Sequence, residues 1–435
     1  MRLHPLALIV ALSLADLSLA DSRSNNITLE ALARRAISGG PEAAAAVLEL
    51  RAEGQPGLDA LLHVCTEGSA TESDSHWKLV SAALDKVAAQ RDAYYSRLYW
   101  FTDIDQAKAA ARASNKPILS LRMLGKLDED LSCANSRFFR LTLYSNSQIS
   151  QFLRENFILH WESVRPVPRM TIDFGDGRKL ERTITGNSIH YVLDAEGRAI
   201  DALPGVYGPG AFLLNLERAG QFAAQLRGTD AVGHQRMLRE YHTARLTELN
   251  ANWNADLKRA GVTSPPRRDL AVAPQDNPPT AVAASRRAIS KMVVAERPLL
   301  RGVSGGRSTL QPTTEDAEWA KIAPLFAQYS RLDDASRALI RSKNPSGFGS
   351  AEKTESFLKT IANLERVIAE DTARNRYTFE TTLHQWFLAG GVTKDLRALN
   401  EKVYTELFLT PSTDPWLGLF PADSYIGIDN EGVRK

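Results

Sequence analysis

Cysteine is scarce in this chain: Cys65 and Cys133 are the two among 435 residues. Cys133 lies in Asp128-Glu-Asp-Leu-Ser-Cys-Ala-Asn-Ser-Arg-Phe-Phe-Arg140. Three positions on, where a redox dithiol places its second cysteine, the chain has Ser136. The stretch therefore has three readings: a working monothiol site, the remains of a dithiol site, or an ordinary helix start containing a cysteine. Cys65, in Leu61-Leu-His-Val-Cys65, reads as a small buried thiol on a helix face. One pairing of Cys65 with Cys133 is open to the chain, and two free thiols is the simpler expectation.

Other chemistries leave little trace. Of eight histidines, His160 and His190 fall in expected strands, where alternation points each either into the core or out to solvent. No pair has HxxxH or HExxH spacing, so no metal site is signalled. His384, in Leu383-His-Gln-Trp386, reads as a helix-face residue. There is no G-x-S-x-G for a serine hydrolase and no Cys-x-x-Cys-His for covalent haem. The glycines of Gly205-Val-Tyr-Gly-Pro-Gly210 have the wrong following residues for a P-loop. No cofactor is expected.

The elements that position Cys133 alternate between helix and strand. Thr102-Asp-Ile-Asp-Gln106 caps an alanine-rich helix that ends at Asn115-Lys-Pro117. Ile118-Leu-Ser-Leu-Arg-Met123 reads as a buried strand, and Ser145-Asn-Ser-Gln148 as a capping box before the next helix. Phe157-Ile-Leu-His-Trp161 is the following strand. Asp176-Gly177 marks a hairpin, and a second hairpin turns at Asp194-Ala-Glu-Gly197. Ala211-Phe-Leu-Leu-Asn-Leu216 opens a closing helix.

On both sides the pattern is helical. Residues 28–95 hold short helices separated by Gly39-Gly40-Pro41 and Gly54, and residues 227–260 form a polar helix. Residues 262–280 carry five of the twenty prolines, and residues 286–307 carry six Arg or Lys against one Glu. Composition makes both a linker. Residues 315–409 are helical again, with Phe357, Ile361, Leu364, Val367 and Ile368 on one long helix; the tail holds Trp416, Phe420 and Tyr425 among prolines and glycines.

Residues 98–219 resemble the thioredoxin-like superfamily. The resemblance rests on Tyr99-Trp100, the alanine-rich helix, Lys116-Pro117, a cysteine after the next strand, Asn156-Phe157, and the hairpin turning at Asp194 and Gly197. It implies that Cys133 sits at a helix N-terminus, where unpaired N–H groups and the helix dipole favour a thiolate that attacks disulfides. A second cysteine would resolve the mixed disulfide, but Ser136 has no sulfur to do so. The family's cis-proline loop aligns with Gly186-Asn-Ser188, placing Ser188 at the proline, where a trans peptide is the default. Asp128, Glu129 and Asp130 precede the thiol and oppose the dipole, with Arg137 as an offset.

Residues 1–20 read as a secretory signal cut near Ala20: Arg2 and His4, then Leu6-Ala-Leu-Ile-Val-Ala-Leu-Ser-Leu-Ala15, then Ser18-Leu19-Ala20. That makes the protein extracytoplasmic, either periplasmic or secreted, with no membrane-spanning segment after cleavage. With 43% hydrophobic and 24% charged residues and a formal net charge of +2, nothing demands nucleic acid. The expected organisation is a helical region over 21–97, a thioredoxin-like α/β/α sandwich over 98–225, a helix and linker over 226–310, and a helical domain over 311–435. The expected function is a non-catalytic interaction or scaffold module for a protein partner. The alternative is a monothiol exchange protein that uses Cys133, with Ser136 beside it, and holds its partner through a mixed disulfide. Asn135, Arg137 and Ser188 are the candidate binding residues.

Overall fold

The computed structural model describes residues 28–67, 75–268, 279–297, 299–300, 313–344, 354–390, 395–419 and 428. The expected signal segment, residues 269–278 and 301–312 of the expected linker, and Phe420 and Tyr425 of the tail lie outside the described residues. The chain divides into two compact units, one ending at Trp100 and the other running from Phe101.

The first unit is helical: α1 over 28–36, α2 (Pro41–Ala52), α3 (Gln55–Glu67), α4 (Ser75–Ala88) and the short α5 (Ala93–Ser96). Gly40, at φ 85°, turns the chain in a conformation that glycine adopts without strain, and Pro41 then starts α2. Leu50, Leu58, Leu61, Leu84 and Val87 are fully buried and form its centre. Trp100 is also fully buried; its indole Nε1 donates to Gln90 Oε1 at 2.7 Å, so the ring meets no unsatisfied polar cost.

The second unit is mixed α/β. Asp103 caps α6 (Ile104–Ser114) by accepting from the amides of Asp105 and Gln106. Strand β1 (Ile118–Leu124) follows and is buried along its whole length. Helix α7 (Ala134–Phe139) widens into a π-turn over Arg140–Tyr144, and Asn146 then caps α8 (Ser147–Asn156). Strand β2 (Ile158–Arg165) pairs in parallel with β1, with Ile118 opposite Ile158. Strands β3 (Arg169–Asp173) and β4 (Lys179–Thr183) form a separate hairpin. Strands β5 (Ile189–Leu193) and β6 (Ala199–Pro204) complete a four-stranded sheet in the order β2-β1-β5-β6, with β5 antiparallel to both neighbours. A single parallel bridge joins Phe101 to His160. The central strands β1 and β5 are buried at every position, polar Ser120, Arg122 and His190 included.

Helices α9 (Pro209–Leu226) and α10 (Ala231–Ala260) follow the sheet. Ile200 of β6 packs with Phe222, Ala223 and Leu226 of α9, and Met237, Leu238 and Tyr241 of α10 close over them. Beyond α10 come α11 (Ala281–Ser285), α12 (Thr314–Ile322), α13 (Asp334–Ser342), α14 (Thr354–Asn375), α15 (Thr381–Ala389) and α16 (Leu396–Lys402). These helices do not form a body of their own. Trp253 of α10 shares a core with Trp319, Ile322, Phe326, Ala369 and Tyr377, so α10 binds the C-terminal helices to the sheet. The expected boundaries near 225 and 311 fall inside this one unit.

Residues 281–297, read from composition as basic linker, are folded. Thr280 caps α11 through the Ala283 amide, and a π-turn runs over Lys291–Glu296. Their cations turn inward: Arg286 pairs with Asp316 at 3.1 Å, and Lys291, fully buried, faces Glu296 at 3.7 Å. No described helix is long and apolar enough to cross a membrane.

Candidate functional site

Cys133 occupies the N-cap of α7, just beyond the end of β1. The Cys133 amide donates to Leu124 O at 3.2 Å, which pinches residues 125–132 into a closed loop. Arg140 braces that loop from inside by donating to Leu127 O and Glu129 O. The acidic approach to the thiol turns outward instead: Glu129 pairs with Arg169 at 2.8 Å and with Lys126 at 3.5 Å, and Asp128 and Asp130 are exposed.

The sulfur itself has no solvent exposure. Its Sγ lies 3.1 Å from Ser188 Oγ and donates to Ser136 Oγ at 3.4 Å. Ser136 Oγ in turn lies 2.8 Å from both Ser132 Oγ and Cys133 O. The structure thus brings Cys133, Ser136 and Ser188 together. Gly186 closes the remaining side, where a Cβ would overlap Cys133 Cβ. Asn135 donates to Asn187 Oδ1 at 3.1 Å, and Arg137 to Thr183 Oγ1 at 3.1 Å. Asn135 thus braces the loop before β5, and Arg137 the end of β4. Burial lowers the Arg137 guanidinium against the opposing pull of Cys133 and Glu296. Among the described residues every peptide bond is trans, including the one before Ser188.

A roof covers this loop. Lys291 Nζ donates to Gly186 O at 3.2 Å and lies 3.4 Å from Asn187 Oδ1. Glu296 accepts from the Thr185 amide at 2.9 Å and from Ser285 Oγ at 2.8 Å. Thr185 itself holds φ 66°, a left-handed conformation unusual for a threonine, and these bonds fix it there. From the C-terminal side, Tyr404 OH donates to Asn187 O at 3.0 Å. The residues that cover Cys133 thus come from 285–296 and 404, far along the chain and without any local motif.

Both strand histidines point inward. His160 Nδ1 meets Ser120 Oγ at 2.9 Å and His190 Nε2 meets Tyr144 OH at 2.7 Å. Burial pushes both down to about 3, with Arg122 adding to the effect at His160, so they are neutral packing residues. Both cysteines are free thiols, and burial pushes Cys65 up to about 11.

No family model, curated protein or solved structure matches this chain. The geometry of its own residues therefore carries the functional reading.

A second convergence of polar groups lies at the edge strand. Asp201 of β6, His242 of α10 and His384 of α15 are all buried and bring their ligand-type atoms within 4.8 Å of one another. Burial pushes His242 down to about 4 and His384 to about 3, and Asp201 is the opposing influence on both. Spacing gave no sign of this group because His242 and His384 stand 142 positions apart on different helices. His384 is no simple helix-face residue. An aspartate inside an otherwise apolar edge strand, Ala199-Ile-Asp-Ala-Leu203, was the available signal.

Proposed function

We propose that this chain is an exported thioredoxin-like protein that acts as a non-catalytic interaction module, with its thiol position converted into a packed polar core. Three features support the thioredoxin-like reading. The sheet order is β2-β1-β5-β6, Cys133 stands at the helix start that follows the central strand after the 125–132 loop, and the loop ending at Ser188 faces the sulfur.

The observation that carries the non-catalytic reading is the closure of Cys133. Thiol–disulfide exchange needs a disulfide sulfur in line with Sγ. Here Ser136, Ser188 and Gly186 occupy the space around Sγ, and the roof of Lys291, Glu296 and Tyr404 holds that loop down. In this reading the partner is a protein, met by the folded surface and not by the sulfur.

The test is the alkylation rate of Cys133 against pH in a Cys65→Ser background. The expected result is slow reaction throughout, limited by opening of the roof. Fast alkylation with a midpoint well below the ordinary thiol value of about 8.5 would instead establish the monothiol nucleophile.

A further inference from the structure

We propose that Asp201, His242 and His384 bind one zinc ion, as a clamp that ties β6 to α10 and α15. This inference is independent of the thiol reading. The donor set is one carboxylate and two imidazoles from three separate elements, all within 4.8 Å of one another. That set suits zinc, which takes nitrogen and oxygen ligands at about 2.0–2.2 Å in tetrahedral geometry. Two nitrogens on such an ion stand about 3.3 Å apart. His242 Nδ1 and His384 Nδ1 stand 2.9 Å apart, so the rings need part by only a few tenths of an ångström.

Hydrogen bonding alone leaves the group incomplete. The two facing Nδ1 atoms can share only one proton, and the other ring nitrogen of His242, Nε2, is buried without a well-aligned hydrogen bond, with the Ile200 backbone as the ring's one backbone neighbour. Asp201 accepts from Tyr241 OH at 2.5 Å and from the Ala202 amide at 2.8 Å. Among the described residues no lysine or arginine pairs with it. The carboxylate is thus in direct contact with neutral donors only, and Arg245, which favours its charged form from a distance, is shared with Glu248 and Glu380. A divalent ion adds a positive charge in contact with the carboxylate.

The surroundings are built to hold the ligands still. His242 stacks on Phe387 with ring centroids 4.3 Å apart, and Tyr241 stacks on Phe222 at 4.0 Å. Tyr241 is the outer partner that orients the Asp201 carboxylate, a role such neighbours play in metal sites. Three protein ligands leave a fourth coordination position open, and the burial of all three closes the site to a substrate.

The experiment titrates the full chain, freed of metal by chelation, with Zn2+ by calorimetry and with Co2+ by visible absorption. The expected result is one ion per chain, a four-coordinate cobalt spectrum, and a melting temperature that rises with zinc. Asp201→Asn and His384→Gln should abolish uptake. If either variant fails to fold, Tyr241→Phe decides, and should weaken zinc binding about 10–100-fold. A folded wild-type chain that takes up neither ion overturns the proposal. So does uptake that persists undiminished in the two ligand variants, or unchanged in Tyr241→Phe.

Discussion

Glu296→Gln tests the roof over Cys133 directly. Glu296 and Lys291 are both fully buried, 3.7 Å apart, and the glutamate also accepts from the Thr185 amide. An amide keeps an acceptor for Thr185 but removes the charge that balances the ammonium. Lys291 is then left with Gly186 O and Asn187 Oδ1, two neutral acceptors. Breaking a buried pair on one side costs about 3–5 kcal/mol, and the surviving acceptors favour the lower figure. If that energy holds the roof closed, the open population rises by roughly two powers of ten, at about 1.4 kcal/mol per decade. Cys133 reports it: with Cys65→Ser removing the other thiol, alkylation under native conditions should speed up by about 100-fold. Lys291→Met added to Glu296→Gln removes both charges and should reverse most of that acceleration. The reasoning fails if Glu296→Gln changes the rate by no more than about twofold, or if the double variant reacts as fast as the single.

Cys133→Ser keeps a hydroxyl within reach of Ser136 and Ser188, so it should cost no more than about 1–2 kcal/mol in urea unfolding; a loss well beyond that would assign the sulfur a role the packing does not explain. Gly186→Ala places a Cβ onto that of Cys133 and within 3.5 Å of Val167 Cγ2, and overpacking of this kind should destabilise by about 1–3 kcal/mol. An unchanged melting temperature would mean that the pocket is looser than its contacts indicate. Asp316 tests the cap and ion pair that hold the start of α12 against Arg374. Burial alone would raise its carboxyl, but the Thr313 amide and Arg374 outweigh it and hold the group at about 2, against an ordinary 3.8. A depressed folded value stabilises above the unfolded one, so this contribution is full above about pH 5 and is lost as pH falls from there toward 2. Screening limits it to about 1 kcal/mol, and the stability gap between wild type and Asp316→Asn should close between pH 5 and 2.5. A gap of constant size would refute the assignment.

The elements around Cys133 were legible because their signals are local. Ile118–Leu124 is an apolar run bounded by Asn115-Lys-Pro117, and Asp194-Ala-Glu-Gly197 and Asp176-Gly177 are turns whose geometry their residue types demand. What stayed hidden depends on partners distant in sequence. Residues 286–307 hold one acid among seven charged groups, so any window reads them as solvated. Yet that one acid, Glu296, is the buried partner of Lys291, and Arg286 finds Asp316 thirty positions on. The polar appearance of α10 misleads in the same way. Its inner face carries Leu249 and Trp253 but also His242 and Arg245, which are buried because α15 and Glu380 meet them.

The polar roof has its own logic. A buried ion pair rarely adds net stability over an apolar pair of the same volume, because desolvating both charges offsets their attraction. What it does add is register. Lys291 reaches Gly186 and Asn187 only if residues 281–297 lie at one position along the loop before β5, and a shift by one residue strands both charges. An apolar roof would slide. Selection for a reactive thiol would leave Sγ a path to solvent and a mobile cover. Here the loop that faces Cys133 is instead pinned by the Lys291 ammonium, by the bond from its Thr185 amide to Glu296 and by the Tyr404 hydroxyl. Those are the constraints of a site kept shut, which is what the proposed non-catalytic reading requires.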